Sequence, residues 1–166
     1  MKTIEFSDLK IDIDETDGQV TYIFNGDVDE NFDHKKVPIV EHSTITLHLA
    51  ELKTFNSVGI REWINFVSKL SSAGTLIFKE CSVPMIDQIN MVPESLGNGS
   101  VESFYAPYYC DCGQEINKLV VTNEYDEQLK NSIAPSFECS NCHKELEFDA
   151  LEESYFQFAS TVLKVS

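Results

Sequence analysis

The sequence is poor in positive charge. Twelve lysines and arginines stand against 28 aspartates and glutamates, a formal net charge of −16 over 166 residues. Such a field repels phosphate backbones and anionic lipid headgroups, so nucleic acid and membrane surfaces are excluded as partners and a protein partner is expected. No apolar run approaches the roughly 20 residues of a membrane span. The opening residues, MKTIEFSDLKIDIDE, lack the apolar stretch of a secretory signal, and a cytoplasmic chain is expected. Also missing are a serine–histidine–aspartate order, a phosphate-binding glycine loop and an H-E-x-x-H motif. His34, His42, His48 and His143 are scattered. Nothing here assembles a catalytic site, and no enzymatic activity is expected. There is no internal repeat and no low-complexity tract.

What is present reads as one ordinary α/β domain with an appendage. LKIDID (9–14) alternates apolar and polar residues and reads as a strand, TDG (16–18) as a turn, and QVTYIFNG (19–26) as its paired strand. The carboxylates of DIDETDG (12–18) lack the spacing of a calcium loop and are expected to be a solvated hairpin. DVDENFDHKK (27–36), with Pro38 soon after, is expected to be a loop or one short helix. STITLHLAEL (43–52) reads as a central strand, with Ile45, Leu47 and Leu49 on one face and His48 on the other. From Ser57 the period becomes helical: Ile60, Trp63, Ile64, Val67 and Leu70 share a face, and Gly74 ends the run. GTLIFKEC is a further strand and VPMIDQINM a second helix, with Pro84 in its first turn and Pro93 beyond its end. VESFYAPYY (101–109) is expected as the final strand. Strand–helix–strand–helix–strand implies parallel pairing with right-handed crossovers, hence a small mixed sheet with packed helices.

From about residue 106 the texture changes. Cys110-Asp-Cys112-Gly113 and Cys139-Ser-Asn-Cys142 form two tight pairs, with NKLVVT and ELEFDA as short candidate strands. Two pairs of this kind favour metal over disulfides in a reducing compartment. Four thiolates on two tight turns make a tetrahedral structural zinc site, with no coordination position left open for catalysis. C-x-C is tighter than the usual spacing, which leaves His143 as an alternative ligand to Cys110. Zinc–thiolate bonding folds segments with little core of their own, and 106–149 is such a segment. It carries nine acidic side chains against three lysines and no arginine, so this zinc-ribbon-like unit is not expected to bind nucleic acid. Cys81, alone at a strand end, reads as a small buried hydrophobe. The expected division is 1–105, 106–149, and a tail, 150–166, packing back as a short helix or strand.

ITLHLAELKTFNSVGIREWINFVSKL followed by GTLIFKECSVPMIDQINMV resembles the STAS domain of anti-sigma factor antagonists, and YIFNGDVDENFD resembles that family's second strand and acidic loop. The resemblance covers roughly residues 8–105. It implies a cytoplasmic, non-enzymatic bacterial regulator acting through a protein partner. The family's D-S-[ST]-G loop falls on Asn56-Ser57-Val58-Gly59, with asparagine in place of the aspartate and valine in place of the second hydroxyl residue. Carried over, Ser57 is the residue that a partner serine kinase would phosphorylate. From the residues alone, Ser57 reads first as a helix N-cap, whose hydroxyl accepts a first-turn amide hydrogen bond worth about 1 kcal/mol. Alternative readings are a ligand-binding or redox protein using the cysteine pairs, and a purely structural assembly protein.

Overall fold

The computed structural model describes residues 1–162. The alternating apolar stretches become strands β1 (Lys2–Glu5), β2 (Leu9–Thr16), β3 (Gln19–Val28), β4 (Thr44–Phe55), β5 (Thr75–Lys79) and β6 (Ser100–Val101) of one six-stranded sheet, ordered β1-β2-β3-β4-β5-β6. The first three are antiparallel and β3 to β6 are parallel, a mixed sheet as expected. Asp17 and Gly18 close the β2–β3 hairpin, both at positive φ, as a two-residue turn requires to match strand twist. Strand β1 was not legible: four mostly exposed residues on a sheet edge carry almost no alternation.

Every second residue of the central strands faces one core. Ile11, Tyr22, Phe24, Ile45, Leu47, Leu49, Leu76 and Phe78 are fully buried there. Helix α1 (Ser57–Ala73) lays Gly59, Trp63, Phe66, Val67 and Leu70 on them, and Gly74 ends it. The Trp63 ring stands edge-on to Phe24, with centroids 5.1 Å apart, and its indole N–H donates to the Ser95 carbonyl at 2.9 Å. Trp63 is thus a core residue with its one polar atom satisfied, which burial demands. Helix α2 (Val83–Met91), capped by Ser82, buries Met85, Ile86 and Ile89. Between β3 and β4 the only helical turn is the short 3₁₀ segment His34–Lys36.

The stretch VESFYAPYY departs from expectation. Only β6 continues the parallel sheet. The chain then becomes β7 (Ser103–Tyr109), which opens a second sheet ordered β8-β7-β9 with β8 (Glu115–Val121) and β9 (Glu147–Phe148), all antiparallel. The two sheets meet at Cys81, whose N–H donates to Ser103 O at 3.0 Å and whose carbonyl accepts from Tyr105 N at 2.8 Å. Strand β7 therefore runs through the position where the sequence texture changes. Helix α3 (Asp126–Lys130) follows β8. The tail forms helices α4 (Glu152–Tyr155) and α5 (Gln157–Val162); residues 163–166 of the expected tail lie outside the described residues. Asn90 of α2 ties the tail down, donating to Tyr155 O and accepting from Phe158 N, each at 2.9 Å.

Candidate metal centre and the start of helix α1

Each cysteine pair sits on a turn closed by the same two backbone bonds. In the first, Cys110 N donates to Gln114 O at 2.8 Å and Gly113 N to Cys110 O at 2.9 Å. In the second, Cys139 N donates to Lys144 O at 2.8 Å and His143 N to Cys139 O at 2.9 Å. The residue after each second cysteine turns the chain through positive φ: Gly113 at 93° and His143 at 63°. Glycine adopts that conformation freely, and histidine is strained in it. His143 is therefore a turn residue. Its exposed ring reaches outward to Glu138 at 3.3 Å.

The β7–β8 and Cys139–Lys144 turns bring four sulfurs together. All four ligand atoms lie within 4.8 Å of one another, with Cys110–Cys142 at 3.3 Å and Cys112–Cys139 at 3.8 Å. A tetrahedron with metal–sulfur bonds of about 2.3 Å has edges of about 3.8 Å, so the sulfurs already outline the site a metal ion needs. Cys110 is among them. Further donors face the sulfurs. The Asn141 amide and the Gln114 N–H pull the Cys112 thiol down to about 6. Cys110 accepts the Cys112 N–H, yet hydrogen bonding with the Cys142 thiol and burial push it up to about 12. Cys112 thus loses its proton more readily than Cys110, and a cation binding among these sulfurs replaces protons. Cys110 and Cys139 are buried and Cys112 is exposed. Cys81 is fully buried, its thiol pushed up by desolvation, and stands apart as an inert core residue.

The start of α1 is built differently from the sequence expectation. Asn56, not Ser57, is the N-cap: its side-chain oxygen accepts from Gly59 N at 2.8 Å, and its amide donates to Glu30. The cap therefore falls one residue earlier than Ser57, which is the first helical residue and is exposed, as is Val58 beside it. Gly59 is buried for a reason that is purely steric. A Cβ there would lie 1.9 Å from the Val28 carbonyl oxygen, because the first turn of α1 rests on the backbone leaving β3. Asn56 N also donates to Val28 O at 3.2 Å. The first turn of α1 is thus backed by the chain leaving β3 and leaves Ser57 and Val58 exposed, with Asp29 and Glu30 on the adjoining loop.

Two polar clusters were missed. Buried His34 hydrogen-bonds Glu62 of α1 through its ring Nδ1 at 2.5 Å and its backbone N at 3.1 Å. Burial pushes the Glu62 carboxyl up, but these two bonds outweigh it and hold it below its ordinary value. His48 of β4 hydrogen-bonds Glu80, which also accepts from Tyr105 at 3.4 Å. The partners lie 28 and 32 residues apart, and no local signal marks such pairs. A groove of about 540 Å³ runs between α2 and α4 past Asp87, Met91 and Leu151. None of the described helices is long and apolar enough to cross a membrane. Comparison of the chain with protein-family models, curated proteins and solved structures finds no match in any of the three.

Proposed function

We propose that the chain is a non-enzymatic regulatory binding module of the bacterial cytoplasm, similar in working to anti-sigma factor antagonists. A protein partner docks on the start of α1, and a structural Zn²⁺ is held by Cys110, Cys112, Cys139 and Cys142. The observation that carries the docking role is the exposed Ser57–Val58 pair on a turn fixed from behind by the Asn56 cap and the Gly59–Val28 contact. A hydroxyl and an aliphatic side chain held still in solvent form a contact whose ordering cost is already met by the fold. Ser57 is also where added charge has most leverage. The helix dipole and the free first-turn amides accommodate a phosphate, while Glu30 and Asp29 add to its negative field and repel an acidic partner surface. A partner serine kinase is the enzyme this reading calls for. Zinc is favoured over other ions by four sulfur ligands at tetrahedral separation, a set that suits a soft, redox-silent divalent ion and leaves it no open position.

The test compares partner capture by wild type, Ser57→Ala and Ser57→Asp proteins from the native host lysate. Capture by wild type and Ser57→Ala, with loss for Ser57→Asp, supports a switch at this turn. Identical capture by all three removes it. Metal analysis of protein purified from its host tests the second half: one zinc per chain supports the site, and fully reduced, metal-free cysteines contradict it.

A further inference from the structure

The four cysteines are unequal in a way that a purely structural site does not require. Cys110 and Cys139 are buried, Cys142 is half-buried, and Cys112 is exposed. Asn141 Nδ2 lies 3.5 Å from the Cys112 sulfur, so the exposed sulfur has a donor of its own. The sulfur facing it, Cys139 Sγ at 3.8 Å, belongs to the other turn, and Cys110 Sγ likewise faces Cys142 across the gap at 3.3 Å. We propose that Cys112 is a peroxide-reactive modification site, and that its oxidation joins it to Cys139 and releases the metal. This inference rests on the zinc reading above and deepens it.

The chemistry balances with a hydroperoxide as the only oxidant. The Cys112 thiolate attacks the distal peroxide oxygen and the O–O bond breaks. The leaving oxide takes a proton from solvent and departs as water or an alcohol. Cys112 is left as a sulfenic acid, a poor ligand. The Cys139 thiolate then attacks the Cys112 sulfur, an S–S bond forms, and hydroxide leaves and is protonated to water. Two thiolates have lost two electrons and the peroxide has gained them. Only Cys110 and Cys142 remain on the metal, and two ligands do not hold it. A second peroxide closes Cys110 to Cys142 in the same manner.

The pairing decides what oxidation does to the fold. A bond within Cys110–Cys112 or Cys139–Cys142 would free the two turns from each other. A bond across the gap joins the turns that the metal joined. The oxidised unit therefore keeps its hairpins together, and a thiol reductant with added zinc restores the starting state. Cys81, fully buried, stays unmodified.

The experiment titrates the zinc-loaded, full-length protein with hydrogen peroxide. It follows released zinc with a chromogenic chelator and maps disulfides by non-reducing peptide mass spectrometry. The zinc content before peroxide is measured first, so that failure of the zinc reading is seen separately. The expected result is zinc release in step with a Cys112–Cys139 disulfide, full recovery on reduction with zinc, and Cys81 left as a thiol. Retention of zinc with all thiols intact under excess peroxide overturns the proposal. So does release accompanied by disulfides within either pair, or by irreversible sulfinic acid at Cys112.

Discussion

The two sheets sit edge to edge and share a backbone at Cys81, yet they are held by different means. The six-stranded sheet buries an unbroken set of large side chains, from Tyr22 and Phe24 through Leu47 to Phe78, under Trp63 and Phe66 of α1. In the three-stranded sheet, β8 buries only Val120 and β9 buries neither residue. The end of β7 near the large sheet is well packed, with Phe104 against Phe158 at 5.0 Å. Towards Cys110 the apolar material thins to Tyr108 with Phe137 and Phe148, and the sulfurs take over. A hydrophobic core grows with chain length, whereas a metal ties together turns that have no length to spare. The fold thus spends its apolar residues where the candidate docking turn must be rigid, and its cysteines where an outlying hairpin pair must be kept together.

The largest expected effect separates the two means of support. Structural zinc contributes on the order of 10 kcal/mol to a small cysteine unit. Cys139→Ser should therefore abolish zinc retention, measured by metal analysis, and unfold the cysteine turns. The far-ultraviolet signal of the large sheet should persist through a separate thermal transition. A single lost transition covering both sheets would break the comparison. Acidification should act in the same direction, because protons compete with the metal for the thiolates.

Next come changes in the large core. Trp63→Ala removes the ring packed on Phe24 and the bond to Ser95, and should cost roughly 3–5 kcal/mol in chemical denaturation. Gly59→Ala places a methyl group on the Val28 carbonyl and should cost about 1–3 kcal/mol through the backbone shift it forces. Both should leave zinc content unchanged. A loss of metal in either variant would show that the sheets are one cooperative unit.

Smaller effects concern the turn at the start of α1. Asn56→Ala should lower stability by about 1 kcal/mol, the usual loss for an N-cap. Ser57→Ala should change it by less than about 0.5 kcal/mol, as exposed substitutions away from caps and core do. Reversal of that order would return the cap to Ser57. Finally, Glu62 has a carboxyl held below its ordinary value of 4.5, so its bond to His34 contributes stability at neutral pH. That contribution is lost as pH falls through the lowered value. Glu62→Gln should flatten this acid limb in a melting-temperature series, and an unaltered limb would assign it to other carboxylates.

Particular residues explain how much of this was legible. The cysteine site could be read directly, because ligand type and spacing are themselves the chemistry. The helices α1 and α2 and strands β2 to β5 were legible because burial on one face imposes a period. The N-cap was missed by one residue: asparagine and serine both cap helices, and only the Gly59 N–H bond decides between them. The partner of β7 was hidden because VESFYAPYY is rich in aromatic strand formers, which suit a strand whichever sheet it joins. The tail stayed open between helix and strand. Its buried Tyr155, Phe156, Phe158 and Ala159 fit a helical face only once α2 is there to receive them. Side-chain pairs such as His34–Glu62 leave no trace in a single sequence.

The most direct test of the central claim, that metal holds the cysteine unit and apolar burial holds the six-stranded sheet, is amide hydrogen exchange on zinc-loaded protein with and without a strong chelator. The account predicts that chelation strips protection from the Cys110–Gln114 and Cys139–Lys144 turns and from β9, while β4 and α1 keep theirs. Unchanged protection at the turns, or equal loss across both sheets, would contradict it.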